Sequence, residues 1–476
     1  MNKSIKILLA LFSVVATVFA SSLLISAVIP GDREAAERRQ YHLSRAEQFR
    51  ELGIYVDAIN EYSAALRVMR DGDPNILLAV AELHLALFEK HGFEDNSNQY
   101  RRTIQLILDN NIPPEGLSIA DTYYYHAIPY DLANRRMNHS IELIDRSWRR
   151  TQDDRIFRLR HATRHTFTQG RYLFGYATPI QRGTARVMCL DETYWGFVNA
   201  EGRVLLSPEF DLATNFSGDF AVVTRDGILQ LVDRNGYRRA AADLSINAAN
   251  IAHFDGSLFA LSAHNQSGYI IASRDDFMIS TRETVYDFIG MRFNDTIALQ
   301  LNGMWQIFDF RDSRANTGFV FDSIAVDELG RAVVANRFFA RENGRYYLMG
   351  YDSASGENSW WRVSDEGFDE ARPFFEAGGV AAVRRGNRWG FVDTDGEVII
   401  PFEFEDARSS SFLLAPVKRD GLWGFITLER FPAPWENYFG KIAIEPQFYD
   451  AKQFVNGVAP VKIESGWVYI SLIMYT

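Results

Sequence analysis

The chain has 476 residues, of which 47% are hydrophobic and 23% charged, with a formal net charge of −11. That length exceeds one ordinary core and predicts two or three domains, and that composition excludes a disordered chain. The acidic balance excludes nucleic acid as a partner, because a phosphate backbone needs a basic footprint. Cys189 is the only cysteine, which excludes an intramolecular disulfide and a cysteine-based zinc site.

Residues 5–29 carry no charged side chain apart from Lys6 near the start. At helical rise such a run spans about 37 Å, enough to cross a bilayer core of about 30 Å. Lys3 and Lys6 lie at its N-terminal end, and behind it the charges of Asp32, Arg33, Glu34, Glu37, Arg38 and Arg39 cancel. The expectation is a signal anchor over residues 1–30, crossing the membrane once, with the N-terminus cytoplasmic and the folded part extracytoplasmic. The alternative is a secreted protein cleaved after Val18-Phe19-Ala20.

Residues 31–170 read as helical, with apolar residues at spacings of three and four, as at Leu43, Ala46, Phe49 and Leu52. Gly53 allows one helix to turn into the next. Ala58 and Ala65 are small where two helices cross, and Tyr55 and Tyr62 fill the groove between them. This pattern, over residues 40–74, resembles the tetratricopeptide repeat. The resemblance implies an irregular array that binds a peptide or protein. His161 and His165 stand four apart, but no acidic residue completes a metal signature, so no metal is expected.

From residue 185 to 476 the hydrophobic period switches to two. A short unit recurs: an alternating strand, a Gly turn, then Trp-Gly-aromatic, then Pro, then an Asp-Ala tail. Its copies hold Trp195, Gly196 and Pro208; Trp389, Gly390 and Pro401; Trp423, Gly424 and Pro446. Trp305 keeps the Trp without the Gly, and Trp467 begins a truncated last copy that could complete the first unit near Ala185. The pattern resembles the WG (KWG) repeat family. Strand starts near Trp195, Leu229, Tyr269, Trp305, Tyr346, Trp389, Trp423 and Trp467, spaced 34 to 44 residues apart, give about eight units.

Asp395-Gly396, Asp420-Gly421 and Asn235-Gly236 supply the turns, Trp fills the layer between units, Gly permits close backbone approach, and Pro ends the strand. The expected fold class is therefore multidomain: a transmembrane helix, an all-α tetratricopeptide-like array, and an all-β repeat domain. That domain is propeller-like, or alternatively an open β-solenoid.

No nucleophile motif is present, and Asp393-Thr394-Asp395-Gly396-Glu397 reads as a hairpin turn rather than a calcium loop. The expectation is a protein that is not an enzyme and carries no cofactor: a membrane-anchored scaffold for a protein or cell-envelope ligand. Trp360 and Trp361, adjacent on a strand and so on opposite faces, are the candidate ligand contacts. They also support an alternative, a carbohydrate-binding or carbohydrate-active protein. A structural spacer is the third reading.

Overall fold

The computed structural model describes residues 30–473 apart from 70–71, 135–136, 241–250, 255–257, 263–268, 276–277, 282–283, 329, 353, 355–358, 377–378 and 432. The chain divides into two compact units, residues 1–160 and 161–476. The expected membrane helix over residues 5–29 lies outside the described residues. Among the described residues no helix is long and apolar enough to cross a membrane. The first helix, Pro30–Glu51, carries charges along its length, from Arg33 and Glu34 to Arg50 and Glu51. The fold class is corrected accordingly to a helical unit followed by a β-propeller. The single-pass localisation is corrected by the same finding.

In the helical unit, Pro30–Glu51 and Tyr55–Met69 pack against each other and against Pro74–His91. Gly53 takes φ +72 in the first turn. Ala46, Ala58 and Ala65 are fully buried where the helices approach, with Tyr62 buried among them and Tyr55 at the cluster's edge. Tyr62 donates a hydrogen bond to Glu47. Asp73 caps the third helix by accepting from the backbone N–H of Asn75 and Ile76. Further on the helices become irregular: Ile119–Thr122 runs into a π-helical turn, Tyr123–Ala127.

The second unit is all β after a helical start. Eight antiparallel sheets follow one another among its described residues, and each is one blade. Blades 1 to 7 span residues 176–210, 212–240, 251–281, 288–309, 323–362, 370–404 and 406–448, and blade 8 spans 450–472. Strand order within blades 1 to 7 is sequence order, as expected for meanders linked by tight turns. Four of the hairpins turn on Asp226-Gly227, Asn302-Gly303, Asn343-Gly344 and Asp420-Gly421, both residues of each having positive φ. That is the type I′ geometry that matches strand twist.

Blade 8 closes the ring. Its fourth strand is Phe167–Gln169, from before blade 1, paired antiparallel to Gly466–Leu472 with Thr168 opposite Ser471. The β region thus begins ahead of residue 185. The last copy is completed by an N-terminal strand and does not itself complete blade 1. A hydrophobic cluster joins the two ends, with Phe174, Ala177, Val187 and Val198 of the first turn of chain against Val458, Trp467 and Tyr469 of the last. Tyr469 Oη donates to the Thr178 carbonyl across the same joint, at 2.7 Å. The alternative of an open solenoid fails on this closure, since a solenoid has no contact between first and last units.

The cores lie between blades. Trp423, Phe425 and Ile444 of blade 7 pack on Ala451, Phe454 and Val461 of blade 8. Trp389 and Phe391 of blade 6 pack on Ala407, Ala415 and Val417 of blade 7. Burying such aromatic rings supplies about 1.5–3 kcal/mol per side chain.

Candidate functional site

The Gly that follows each Trp has a steric reason. A Cβ on Gly196 would lie 2.6 Å from the Pro208 nitrogen, on Gly390 2.7 Å from the Ile400 carbonyl oxygen, and on Gly424 2.5 Å from the Ile444 carbonyl oxygen. The neighbour is the fourth strand, which bulges there. Trp195 pairs with Phe210 and Phe197 with Leu206, so four residues face two. The same shift recurs from Trp389–Phe404 to Phe391–Ile400 and from Trp423–Phe448 to Phe425–Ile444. Pro208, Pro401 and Pro446 sit inside these strands at the bulge and do not end them, since a bulged residue on an edge strand needs no N–H partner. Blade 4 is built differently. Gln306 replaces the Gly after Trp305, and the sheet has three strands, the fourth giving way to the 3-10 turn Ser313–Ala315.

Four of the repeat Trp residues also face a cation. Arg372 lies 4.4 Å from the Trp389 ring centroid, Arg408 4.4 Å from Trp423, Lys452 5.1 Å from Trp467 and Arg186 5.0 Å from Trp195. Arg372, Arg408 and Lys452 directly follow the Asp-Ala or Glu-Ala of the innermost strands Glu370–Ala371, Asp406–Ala407 and Asp450–Ala451. They reach forward into the next blade. Arg372 pairs with Asp406 at 2.9 Å and donates to the Ala407 carbonyl. Arg408 pairs with Asp450 at 2.6 Å and donates to the Ala451 carbonyl. Arg186 serves blade 1 from a different strand, donating to the Ala213 carbonyl at 2.8 Å. Burial pushes the Arg372 and Arg186 guanidinium groups below their ordinary range, with Asp406 opposing this at Arg372, and Tyr176 and Glu328 at Arg186.

Sequence reasoning missed the feature that crosses the ring. Between Ser323–Ile324 and Arg337–Glu342, blade 5 carries a longer connection than its counterpart in blade 2, residues 214–219. Asp327 and Arg331 tie it into a turn through backbone bonds and a side-chain ion pair of 2.6 Å. Arg331 stacks between Phe293 of blade 4 and Phe375 of blade 6 and donates to the Phe375 carbonyl. The Met291 N–H donates to the Gly330 carbonyl, and a Cβ on Gly290 would collide with that same oxygen. Glu328 then reaches Lys452 of blade 8 at 2.6 Å and Tyr176 of blade 1 at 3.4 Å. Blades 5, 8 and 1 can meet in this way only across the axis of the ring. The connection is a crossbar in the central channel. Beside it opens a cleft of about 350 Å³ lined by Arg182, Ser217, Met291, Arg292, Phe293 and Asp295, from loops of blades 1, 2 and 4.

The candidate aromatic pair divides as alternation requires. Trp360 turns inward, 5.1 Å from Phe321, in the cluster between blades 4 and 5. Trp361 is 44% exposed and its ring lies over Gly350. The Asp393 turn uses its carboxylate internally, accepting from Asp395 N–H and Glu397 N–H at 3.0 Å each. Among the described residues no group of three or more His, Cys, Asp or Glu converges as metal ligands would. The helical unit holds a separate cleft of about 380 Å³, lined by residues that include Tyr100, Tyr130, His139 and Arg146.

Residues 195–227, 389–423 and 437–467 match the family model described as WG containing repeat. The fold and these matches together define the class: a β-propeller with WG repeats. The matches fall in the β region alone, so the tetratricopeptide resemblance of residues 40–74 gains no support from them. No curated relative matches the chain. Solved structures with partial likeness include Hsv2p of Kluyveromyces lactis, at 9% identity and TM-score 0.30 over 47% of this chain and 75% of that one. The N-terminal domain of Nup159 is 9% identical at TM-score 0.32, over 64% and 95%. A eukaryotic initiation factor is 10% identical at TM-score 0.34, over 66% and 89%.

Proposed function

We propose that this protein is a non-enzymatic binding scaffold whose ligand is another protein, held on the loop-bearing faces of the propeller. The observation that carries the reading is how the repeated residues are used. Trp and the Asp-Ala-Arg tail are engaged in packing one blade on the next, and Gly and Pro in fitting the bulge within a blade. What differs between blades is the connections, and those of blades 1, 2 and 4 line the cleft beside the crossbar. Rigid scaffolds with variable loops are the usual arrangement for recognition. Affinity capture with the full chain tests this, comparing the wild type with Arg182→Glu, a charge reversal at the exposed rim of the cleft. The expected result is a partner retained by the wild type and lost by the variant. Identical captured proteins for both chains would refute the placement of the site.

Trp361 favours a second reading, a carbohydrate ligand, because a part-exposed indole packed over a glycine offers a surface for stacking. Quenching of tryptophan fluorescence by soluble cell-wall glycans, abolished by Trp361→Ala, is what that reading expects. An unchanged response in Trp361→Ala would remove it.

A further inference from the structure

Lys452 breaks the rule its neighbours follow. Arg372 and Arg408 each find the aspartate of the next blade, Asp406 and Asp450. The position that should serve Lys452 is held by Tyr176, at the start of blade 1's innermost strand, so the cation is kept and its carboxylate is gone. The ammonium is nonetheless enclosed. Its side chain is only 2% exposed, the Tyr176 ring centroid is 4.1 Å from Nζ, and Nζ donates to Tyr176 Oη at 2.8 Å. A buried ammonium left uncompensated is strongly destabilising, so a carboxylate has to be brought to it.

Glu328 brings it, from the crossbar of blade 5, at 2.6 Å. Unlike the ammonium, the Glu328 side chain is 39% exposed. Arg186 stands nearby, its guanidinium 5.0 Å from the Trp195 ring, which in turn meets the Tyr176 ring edge-on at 6.0 Å. Its Nε is buried and has no hydrogen-bond partner. An ammonium and a phenol hydroxyl therefore hold a position filled by one carboxylate on a solvent-accessible turn.

We propose that Lys452 and Tyr176 form a carboxylate-binding subsite in the central channel, with Glu328 as a tethered occupant that an acidic ligand displaces. The present occupant sets the ligand class: a carboxylate, from a free small acid or from an acidic peptide. The subsite deepens the scaffold reading by naming what its partner presents. Failure of protein capture would count against the scaffold, whereas failure of carboxylate binding would count against the subsite.

The test is calorimetric titration of the full chain with acetate and, separately, with tetraglutamate. Glu328→Gln keeps the side chain's shape and removes its charge. A tethered group competes at an effective concentration in the millimolar range, so Glu328→Gln should bind at least about tenfold tighter than the wild type. Preference for acetate identifies a free acid as the source, and preference for tetraglutamate an acidic peptide. Adding Lys452→Met to Glu328→Gln should abolish binding of both. Equal affinity of wild type and Glu328→Gln, or binding that survives Lys452→Met, would overturn the proposal. Should Glu328→Gln fail to fold, Glu328→Asp retracts the carboxylate by one methylene and should give an intermediate gain; no gain in that folded variant would overturn it equally.

Discussion

Replacing Arg408 by Met isolates the clip between blades. The Met side chain keeps most of the aliphatic stem and loses the guanidinium. Three interactions go: the 2.6 Å ion pair with Asp450, the hydrogen bond to the Ala451 carbonyl, and the stacking on Trp423 at 4.4 Å. The Arg408 side chain is 18% exposed and Asp450 28%, so solvent screens the pair only in part. A charge-assisted hydrogen bond contributes about 1.5–3 kcal/mol and a partly desolvated cation–π contact about 0.5–1 kcal/mol, giving a predicted loss of about 2–4 kcal/mol. The matched control is Arg158→Met, whose pair with Asp154 is 71% and 53% exposed and should matter little. Urea unfolding followed by tryptophan fluorescence reads both. A midpoint for Arg408→Met no lower than for Arg158→Met would refute the clip as a source of stability.

Three further outcomes follow from the same geometry. Gly424→Ala pushes a Cβ to 2.5 Å from backbone, whereas Gly386→Ala meets nothing within 4 Å and suffers only its φ of +60. The first should cost about 1–3 kcal/mol or more and the second about 1 kcal/mol, and equal melting temperatures would contradict this. Gly290→Ala should dislodge the crossbar and expose Glu328 to cleavage by a glutamate-specific protease, with mass spectrometry of the fragments as the readout. In the helical unit, the side-chain and backbone hydrogen bonds of Ser118, then Arg155, hold the Asp121 carboxyl down to about 2. A depressed carboxylate stabilises the fold above its unfolded value near 4, and that contribution disappears as pH falls from about 4 to about 2. Acid titration of the helical circular dichroism should therefore show a loss in this window that Asp121→Asn flattens.

Much of the β region was legible because its residues act locally. Asp420-Gly421 specifies its own turn, and the alternation of Leu414–Arg419 specifies its own strand. The helical contacts of Ala58, Tyr62 and Ala65 were legible for the same reason, since their partners lie within a few turns. What was illegible depends on distance in sequence. Phe167–Gln169 is three residues long and becomes a strand only because Gly466–Leu472 offers it an edge. Glu328 and Lys452 are 124 residues apart, and nothing near either names the other. The role of Pro208, Pro401 and Pro446 was misread because a proline's missing N–H fits a strand's end and a strand's bulge equally well. The apolar run before residue 30 shows another limit, since periodicity and hydropathy describe a segment's chemistry and not its place in a fold.

The closed ring is the claim on which the channel, its crossbar and the subsite all depend. Thr168 and Ser471 lie directly opposite each other in the closing pair of strands, at the spacing of about 5.5 Å that suits a disulfide. With Cys189→Ser removing the native thiol, the double variant Thr168→Cys, Ser471→Cys should oxidise to an intramolecular disulfide in the monomer. It would appear as faster migration in non-reducing gels and as loss of both thiols to alkylation. Free thiols after oxidation, or disulfide-linked dimers alone, would contradict closure of the ring.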